Sequence, residues 1–165
     1  MTKKIYIING DAVNSSEAKI SVDDYGLMRG YAVFETIKFR NKKALGLNSH
    51  IDRLLRSISF IKMDSDKIKR DCIVSDVNRI IEINGWADGL IKIIITKGLP
   101  KNNQKTKLSP NIYMTIKEIY DIPKDPVKVV FYNESKYPIL RFNPAIKSIN
   151  YLGNMMAIED ANRDG

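Results

Sequence analysis

The sequence predicts an α+β domain, a hairpin-rich sheet with two helices, followed by the start of a second domain. Three observations carry that reading. Short runs of β-branched and aromatic residues recur along the chain, separated by turn residues. Two longer segments, one after the other, each carry a single apolar stripe at helical period. Hydrophobic residues make up 44% of the 165 residues, enough to bury one sizeable core, or one domain and part of a second.

The elements follow in chain order. Ile5 and Ile7 alternate with Tyr6 and Ile8 before Asn9-Gly10, a strand entering a tight hairpin. Residues 31–39 (Tyr-Ala-Val-Phe-Glu-Thr-Ile-Lys-Phe) read as a strand, and 41–43 turn into a partner strand at Ala44 to Leu47. Ser49 is placed to cap a helix striped by Ile51, Leu54, Leu55, Ile58 and Ile61. A second helix is predicted from about Ser65 to Asn84, with Ile68, Cys72, Val77, Ile80 and Ile81 inward and Gly85 as its stop. Strands are expected at Leu90 to Thr96, Ile112 to Glu118 and Val127 to Tyr132, with a polar loop at Lys101 to Lys107. Pro123 and Pro126 mark a connector, and Pro138 and Pro144 frame an irregular stretch. A last helix is expected to begin near Lys147 to Asn150 and to stop at Gly165. Residues 1–134 are therefore read as an N-terminal domain, and 135–165 as a linker and the first helix of an incomplete second one.

Composition narrows the function classes. The formal charge is +8, from 27 Lys plus Arg against 19 Asp plus Glu. The basic residues are scattered, and the densest stretch carries no aromatic side chains on which bases could stack, so no nucleic-acid partner is expected. No apolar run is long enough for a bilayer span, and the N-terminus lacks the apolar core of a secretory signal, so no membrane association is expected. The single cysteine, Cys72, cannot form an internal disulfide; a cytoplasmic address and a packing role at an apolar helix position are expected. One histidine, His50, and no His/Cys cluster leave no expectation of a metal site.

Lys147 is the candidate for chemistry. It stands in Leu140-Arg141-Phe142-Asn143-Pro144-Ala145-Ile146-Lys147-Ser148-Ile149-Asn150-Tyr151-Leu152-Gly153-Asn154. Close flanking by Ile146, Ile149 and Leu152 is a setting in which a lysine can act as a nucleophilic amine toward an aldehyde cofactor. Those residues alone leave a surface lysine at a helix start as the plainer reading. The window nevertheless resembles the Schiff-base segment of the fold-type IV pyridoxal-phosphate enzymes, the class IV aminotransferases. Three further windows agree in order. Asp24-Tyr25-Gly26-Leu27-Met28-Arg29-Gly30-Tyr31-Ala32-Val33-Phe34-Glu35-Thr36 and His50-Ile51-Asp52-Arg53-Leu54-Leu55-Arg56-Ser57 are similar to the family's first two signatures. Ile95-Thr96-Lys97-Gly98 falls where the family carries a Thr-Arg-Gly step.

The resemblance implies pyridoxal 5'-phosphate as cofactor and a set of roles. Lys147 would be the Schiff-base lysine and the acid/base of the proton shift. Arg53 would bind the cofactor phosphate, for which a guanidinium fork is suited. Tyr151 would hydrogen-bond the phenolate oxygen. Phe34 and Lys38, at period two on one strand face, would line the substrate pocket. Lys97 replaces the family's arginine, and the position of Phe34 is often a tyrosine in D-amino-acid enzymes. Arg29 or Lys97 is therefore expected to take over carboxylate recognition, across a homodimer interface in one version of the reading. Glu35, alternating away from Phe34, reads as structural, and His50 as a capping or packing residue.

The implied activity is amino transfer between an amino acid, branched-chain or otherwise hydrophobic, and a 2-oxo acid such as 2-oxoglutarate. D-Amino-acid transamination and aminodeoxychorismate cleavage are the alternatives within the family. The family continues beyond the last helix, into segments carrying the glutamate that faces the pyridine nitrogen and the rest of the phosphate cup. A chain without them is expected to bind cofactor weakly, and a non-catalytic domain that folds or associates is the alternative of another class.

Overall fold

The structure, a computed structural model, describes residues 4–64, 66–101, 104–119, 125–133, 135 and 146–164. It divides into two compact units, Met1–Ile119 with Ala145–Ile149, and Tyr120–Pro144 with Asn150–Gly165.

The first unit is α+β, as predicted. Its elements are β1 (Ile5–Ile8), β2 (Asp11–Asn14), α1 (Tyr25–Arg29), β3 (Ala32–Arg40), β4 (Lys43–Ala44), α2 (Leu47–Phe60), α3 (Arg70–Asn84), β5 (Gly89–Lys101) and β6 (Gln104–Lys117). The strands form one six-stranded sheet in the order β2-β1-β6-β5-β3-β4, with every pair antiparallel. Asn9 and Gly10 both take positive φ (52° and 89°), as a two-residue hairpin loop requires. Asn41 and Lys42 do the same between β3 and β4. They are held by a bond from Asn41 N–H to Asp88 Oδ1 and one from Lys42 N–H to the Ala87 carbonyl.

The pleat of the sheet separates two chemistries. Val33, Ile37 and Phe39 of β3, Ile91, Ile93 and Ile95 of β5, and Met114 and Ile116 of β6 are buried in one cluster with apolar residues of both helices. Ile51, Leu54 and Ile58 come from α2, and Ile73, Val77, Ile80 and Ile81 from α3. The opposite parity carries Phe34, Thr36 and Lys38. These lie in register with Ile94, Lys92 and Leu90, and then with Tyr113, Thr115 and Lys117 of β6.

Several boundaries differ from those predicted. Helix α2 starts two residues before Ser49, with Gly46 at its N-cap in the left-handed region and no side-chain cap. That helix also takes Leu47 from the predicted partner strand, so β4 shrinks to two residues. Helix α3 starts at Arg70; Ile68 is buried ahead of it, and Ser65 lies outside the described residues. Cys72 is exposed, because the buried stripe runs through Ile73 and Val77, and Cys72 is about 100° of helical turn away. Gly85 does end the helix with φ 68°.

The β5–β6 hairpin runs into the stretch predicted as a lysine-rich loop, pairing as far as Lys101 with Gln104. At Gly98 (φ 77°) an added Cβ would lie 1.6 Å from the Ser109 carbonyl oxygen, so the two strands meet there with no room for a side chain. Residues 125–133 contain no strand, against the expectation for Val127 to Tyr132. The alternation gives that segment strand propensity, but no described strand pairs with it, and propensity without a partner makes no sheet.

In the second unit, α4 spans Leu152–Asp164 and so begins later than predicted. The reason lies in the chain just before it, in the first unit. Ser148 bridges Val33, Phe34 N–H donates to the Lys147 carbonyl (2.9 Å), and Ile149 N–H donates to the Ala32 carbonyl (3.2 Å). A backbone committed to a strand edge is not available for helical bonds. None of the helices among the described residues is long and apolar enough to cross a membrane.

A Cβ on Gly89 would fall 2.4 Å from Phe39 Cζ, and Phe39 is fully buried. Gly89→Ala is therefore expected to lower stability by about 1–3 kcal/mol in urea denaturation, the cost of overpacking a filled core.

Candidate active site

Strand β3 assembles the candidate site at two consecutive residues. Phe34 faces away from the helices and Glu35 faces toward them. The β3 edge from Ala32 to Phe34 receives the extended residues 147–149 described above. That pairing sets Lys147 beside Phe34, with its Nζ 4.9 Å from the ring centroid. Lys92 Nζ lies at the same 4.9 Å from that ring. Both distances suit cation–π attraction, so the aromatic ring orders two half-buried amines. Lys38 lies on the same face four residues along β3 from Phe34.

On the helix side, Glu35 is fully buried and takes a fork from Arg53 of α2. Arg53 Nε donates to Oε1 (2.5 Å) and Nη2 to Oε2 (2.6 Å). His50, one helical turn earlier, contacts Oε2 through Nδ1 at 2.9 Å. An ionised carboxylate only accepts, so Nδ1 carries the proton, and the 3.3 Å approach of Arg53 Nη2 to that nitrogen is a contact rather than a hydrogen bond. Burial pushes the Glu35 carboxyl up, but the bonds and charges of Arg53 and His50 outweigh it and hold the group below the ordinary glutamate value. Glu35 fixes one edge of the guanidinium. Among the described residues nothing bonds to Nη1, so the other edge keeps its donors for an anion.

The remaining candidates lie elsewhere. Lys97 Nζ donates to Tyr31 Oη (2.9 Å) and to the Lys62 carbonyl (3.3 Å), and stands 4.3 Å from the Tyr31 ring centroid. The Tyr31 hydroxyl itself donates to the Ile61 carbonyl. Lys97 thus sits just past the C-terminal end of α2, bonded to the carbonyl of Lys62, which follows the C-cap Ile61. Arg29 is the last residue of α1 and is exposed. Tyr151 falls in the second unit, where its carbonyl accepts the Met155 N–H. So the structure brings Lys147 to Phe34, ties Arg53 to the next residue of the same strand, and gives Lys97 partners at the end of α2.

Sequence reasoning passed over Lys92 and Asp24, and saw only part of what Glu35 does. Lys92 is the one cation inside the Leu90 to Thr96 run, and its parity with Ile94 was the available signal. Glu35 does face the other side, as expected, but it also holds Arg53. Asp24 is fully buried, although it heads a segment of mixed polarity. Its Oδ1 accepts Gly26 N–H (2.7 Å), and its Oδ2 accepts from Thr96 Oγ1 (2.8 Å), Asn111 Nδ2 (2.8 Å) and Tyr113 Oη (3.3 Å). Burial first, then the Asp24 charge and hydrogen bond, push the Tyr113 phenol up to about 12.

The family model for amino-transferase class IV matches residues 32–165. The chain belongs to the class IV aminotransferases. It is 31% identical over 169 residues to a protein of Methanocaldococcus jannaschii provisionally named a branched-chain-amino-acid aminotransferase, covering 98% of this chain and 57% of that one. It is also 31% identical over 163 residues to a D-alanine aminotransferase of Staphylococcus epidermidis, with the same coverage of 98% and 57%. The chain thus spans 57% of the length of these curated relatives. A branched-chain aminotransferase of Thermoproteus uzoniensis solved with norvaline shares the fold at TM-score 0.75 and 23% identity, over 99% of this chain and 57% of that one. The M4 mutant of a Thermobaculum terrenum branched-chain aminotransferase does so at TM-score 0.76 and 19% identity, over 100% and 56%.

The Glu35 pairing has a pH signature. Its folded-state value lies below the unfolded one, so its contribution to stability is complete above the ordinary glutamate range and is lost as pH falls through the lower folded value. Glu35→Gln should flatten that acid limb in denaturation curves and cost about 1–2 kcal/mol at neutral pH, below the range for a fully buried pair because Arg53 is partly solvated.

Proposed function

We propose that the chain carries part of a pyridoxal-phosphate aminotransferase site that moves an amino group between a hydrophobic or branched-chain amino acid and a 2-oxo acid such as 2-oxoglutarate. One observation supports it above the others. The β3 edge sets Lys147 against the Phe34 ring, an amine beside an aromatic wall as an aldehyde cofactor uses, and Arg53, bound to Glu35 on the helix side, keeps a donor edge for an anion. When bound, the cofactor supplies an electron sink for the α-carbon.

The chain's own residues do the rest. Lys147 would hold the cofactor through its amine and would move the α-proton. Arg53 presents its outer edge to the phosphate, and because Glu35 neutralises it, the phosphate meets directed donors more than net charge. Phe34 gives the substrate an apolar wall, and Lys38 a cation farther along the same face. Arg29 or Lys97 meets the substrate carboxylate, and Tyr151 the phenolate oxygen. The reading includes a cytoplasmic homodimer and a domain boundary near residue 134. The staphylococcal relatives favour D-amino acids as the second substrate reading.

The cofactor proposal is tested by adding pyridoxal phosphate, reducing with borohydride and mapping the label by mass spectrometry. With 19 lysines in the chain, a non-specific aldehyde would label many of them. At a large excess of pyridoxal phosphate, to offset the weak binding expected of this chain, label concentrated on Lys147 and lost in Lys147→Ala, with labelling lowered about tenfold or more in Arg53→Ala, is the expected result. Label spread over surface lysines would overturn it. A screen of 2-oxoglutarate with both enantiomers of hydrophobic amino acids separates the substrate readings, and Arg29→Ala is expected to raise the KM for the oxo acid.

A further inference from the structure

Asp24 has no part in the function proposed above, yet it is the most heavily bonded buried side chain on the Phe34 side of the sheet. Oδ1 holds the first turn of α1 through Gly26 N–H, while Oδ2 gathers Thr96 of β5 with Asn111 and Tyr113 of β6. A buried carboxylate is costly unless such donors surround it, and here four do. Helix α1 has only five residues and contains a glycine, too short a helix to hold itself in place. Its position comes from Asp24, whose carbonyl also accepts the N–H groups of Leu27 and Met28. Contact with β5 is tight: a Cβ on Gly26 would lie 2.4 Å from Thr96 Cγ2.

What α1 carries gives this anchorage a use. Arg29 is its last residue and Gly30 its left-handed cap. Tyr31 follows, with its N–H bonded to the Tyr25 carbonyl, and then Ala32, whose carbonyl receives Ile149 from the Lys147 segment. On the other strand, Thr96 is followed directly by Lys97. The same carboxylate therefore sets the starting point of both segments that bear a candidate substrate cation.

We propose that Asp24 is a positioning residue for substrate recognition, tying α1 to Thr96, Asn111 and Tyr113 so that Arg29 meets the carboxylate of a 2-oxo acid at a fixed place. The inference rests on the reading of Arg29 given under the proposed function. Asp24 acts through the α1 turn and touches no reacting atom. The carboxylate is needed because all four groups around it are donors, and an amide would turn its own N–H toward some of them.

The test uses the full chain and its Asp24→Asn, Arg29→Ala, Thr96→Ser and Thr96→Val variants. Amide hydrogen exchange is followed at Gly26, Leu27 and Met28, with Ile37 and Ile93 as core references. Affinity for 2-oxoglutarate is measured by calorimetric titration with pyridoxal phosphate present. Asp24→Asn is expected to speed exchange at residues 26–28 about tenfold or more, to leave Ile37 and Ile93 as they were, and to weaken 2-oxoglutarate by a similar factor. Arg29→Ala should weaken the ligand alike without altering exchange. Thr96→Ser keeps the donor and loses only the methyl against Gly26, so it should stay nearer the parent chain, while Thr96→Val should move toward Asp24→Asn. A fall of Tyr113 ionisation from about 12 in Asp24→Asn, read as phenolate absorbance against Tyr113→Phe, would confirm that the node was broken.

Exchange that is unchanged, or that rises equally through β3 and β5, overturns the role given to Asp24. Local loosening with unaltered affinity, while Arg29→Ala weakens binding, overturns it too. Unaltered affinity in Arg29→Ala overturns the reading of Arg29 instead, and the exchange data still show whether Asp24 anchors the turn, so the two failures are distinguishable.

Discussion

The two-residue period of β3 is the constraint on which the rest of the site depends. Because successive side chains leave a strand on opposite sides, Glu35 must go under α2 when Phe34 goes to the other face. The first gives Arg53 a fixed partner, and the second gives Lys147 a ring to rest against. Position along the sheet matters as much as parity. Partner strand β4 reaches only Phe39 and Arg40, so the early part of β3 keeps the edge that residues 147–149 occupy. A one-residue slip of β3 would bury Phe34 under the helices and turn Glu35 outward, parting the lysine from its ring and the arginine from its carboxylate in one step.

Two buried carboxylates serve this arrangement by different means. Glu35 is met by cationic or cation-capable groups, Arg53 and His50, and so belongs to a local charge balance. Asp24 is met by neutral donors, one backbone amide and three side chains, and belongs to a hydrogen-bond network. The first is screened where Arg53 reaches solvent; the second lies inside. Salt therefore acts on the Glu35 pair where Arg53 meets solvent, whereas the Asp24 network depends on the geometry of β5 and β6.

Much of this was legible in the residues because it is written in short range. The Asn9-Gly10 hairpin, the α2 stripe and the Gly85 stop each depend on local dihedral preference or on period, and each holds in the fold. Glu35 faces the helices, as its alternation with Phe34 indicated. What failed depends on partners distant in sequence. A helix start at Lys147 was reasonable locally, but the edge of β3, more than a hundred residues earlier, claims that backbone. Cys72 and Ile73 are equally apolar in sequence, and only the packing of α3 on the sheet chooses between them. The bonds of Lys97 to Tyr31 and the Lys62 carbonyl likewise join stretches that no local pattern links. Asp24 could not be found by pattern, since its four donors come from three separate stretches of chain.

The exposed segment at Val127 has a colloidal consequence. Val127 and Val129 are 69% and 68% exposed, and Phe131 is 92% exposed, on a run free of proline and rich in β-formers. Such a run offers apolar side chains with strand propensity to any neighbouring molecule, a combination that favours association. Lys128 is the one gatekeeper within it, and the net charge of +8 opposes close approach only while ions are scarce. Association through this segment, which takes no part in the sheet, is accordingly expected to rise with ionic strength.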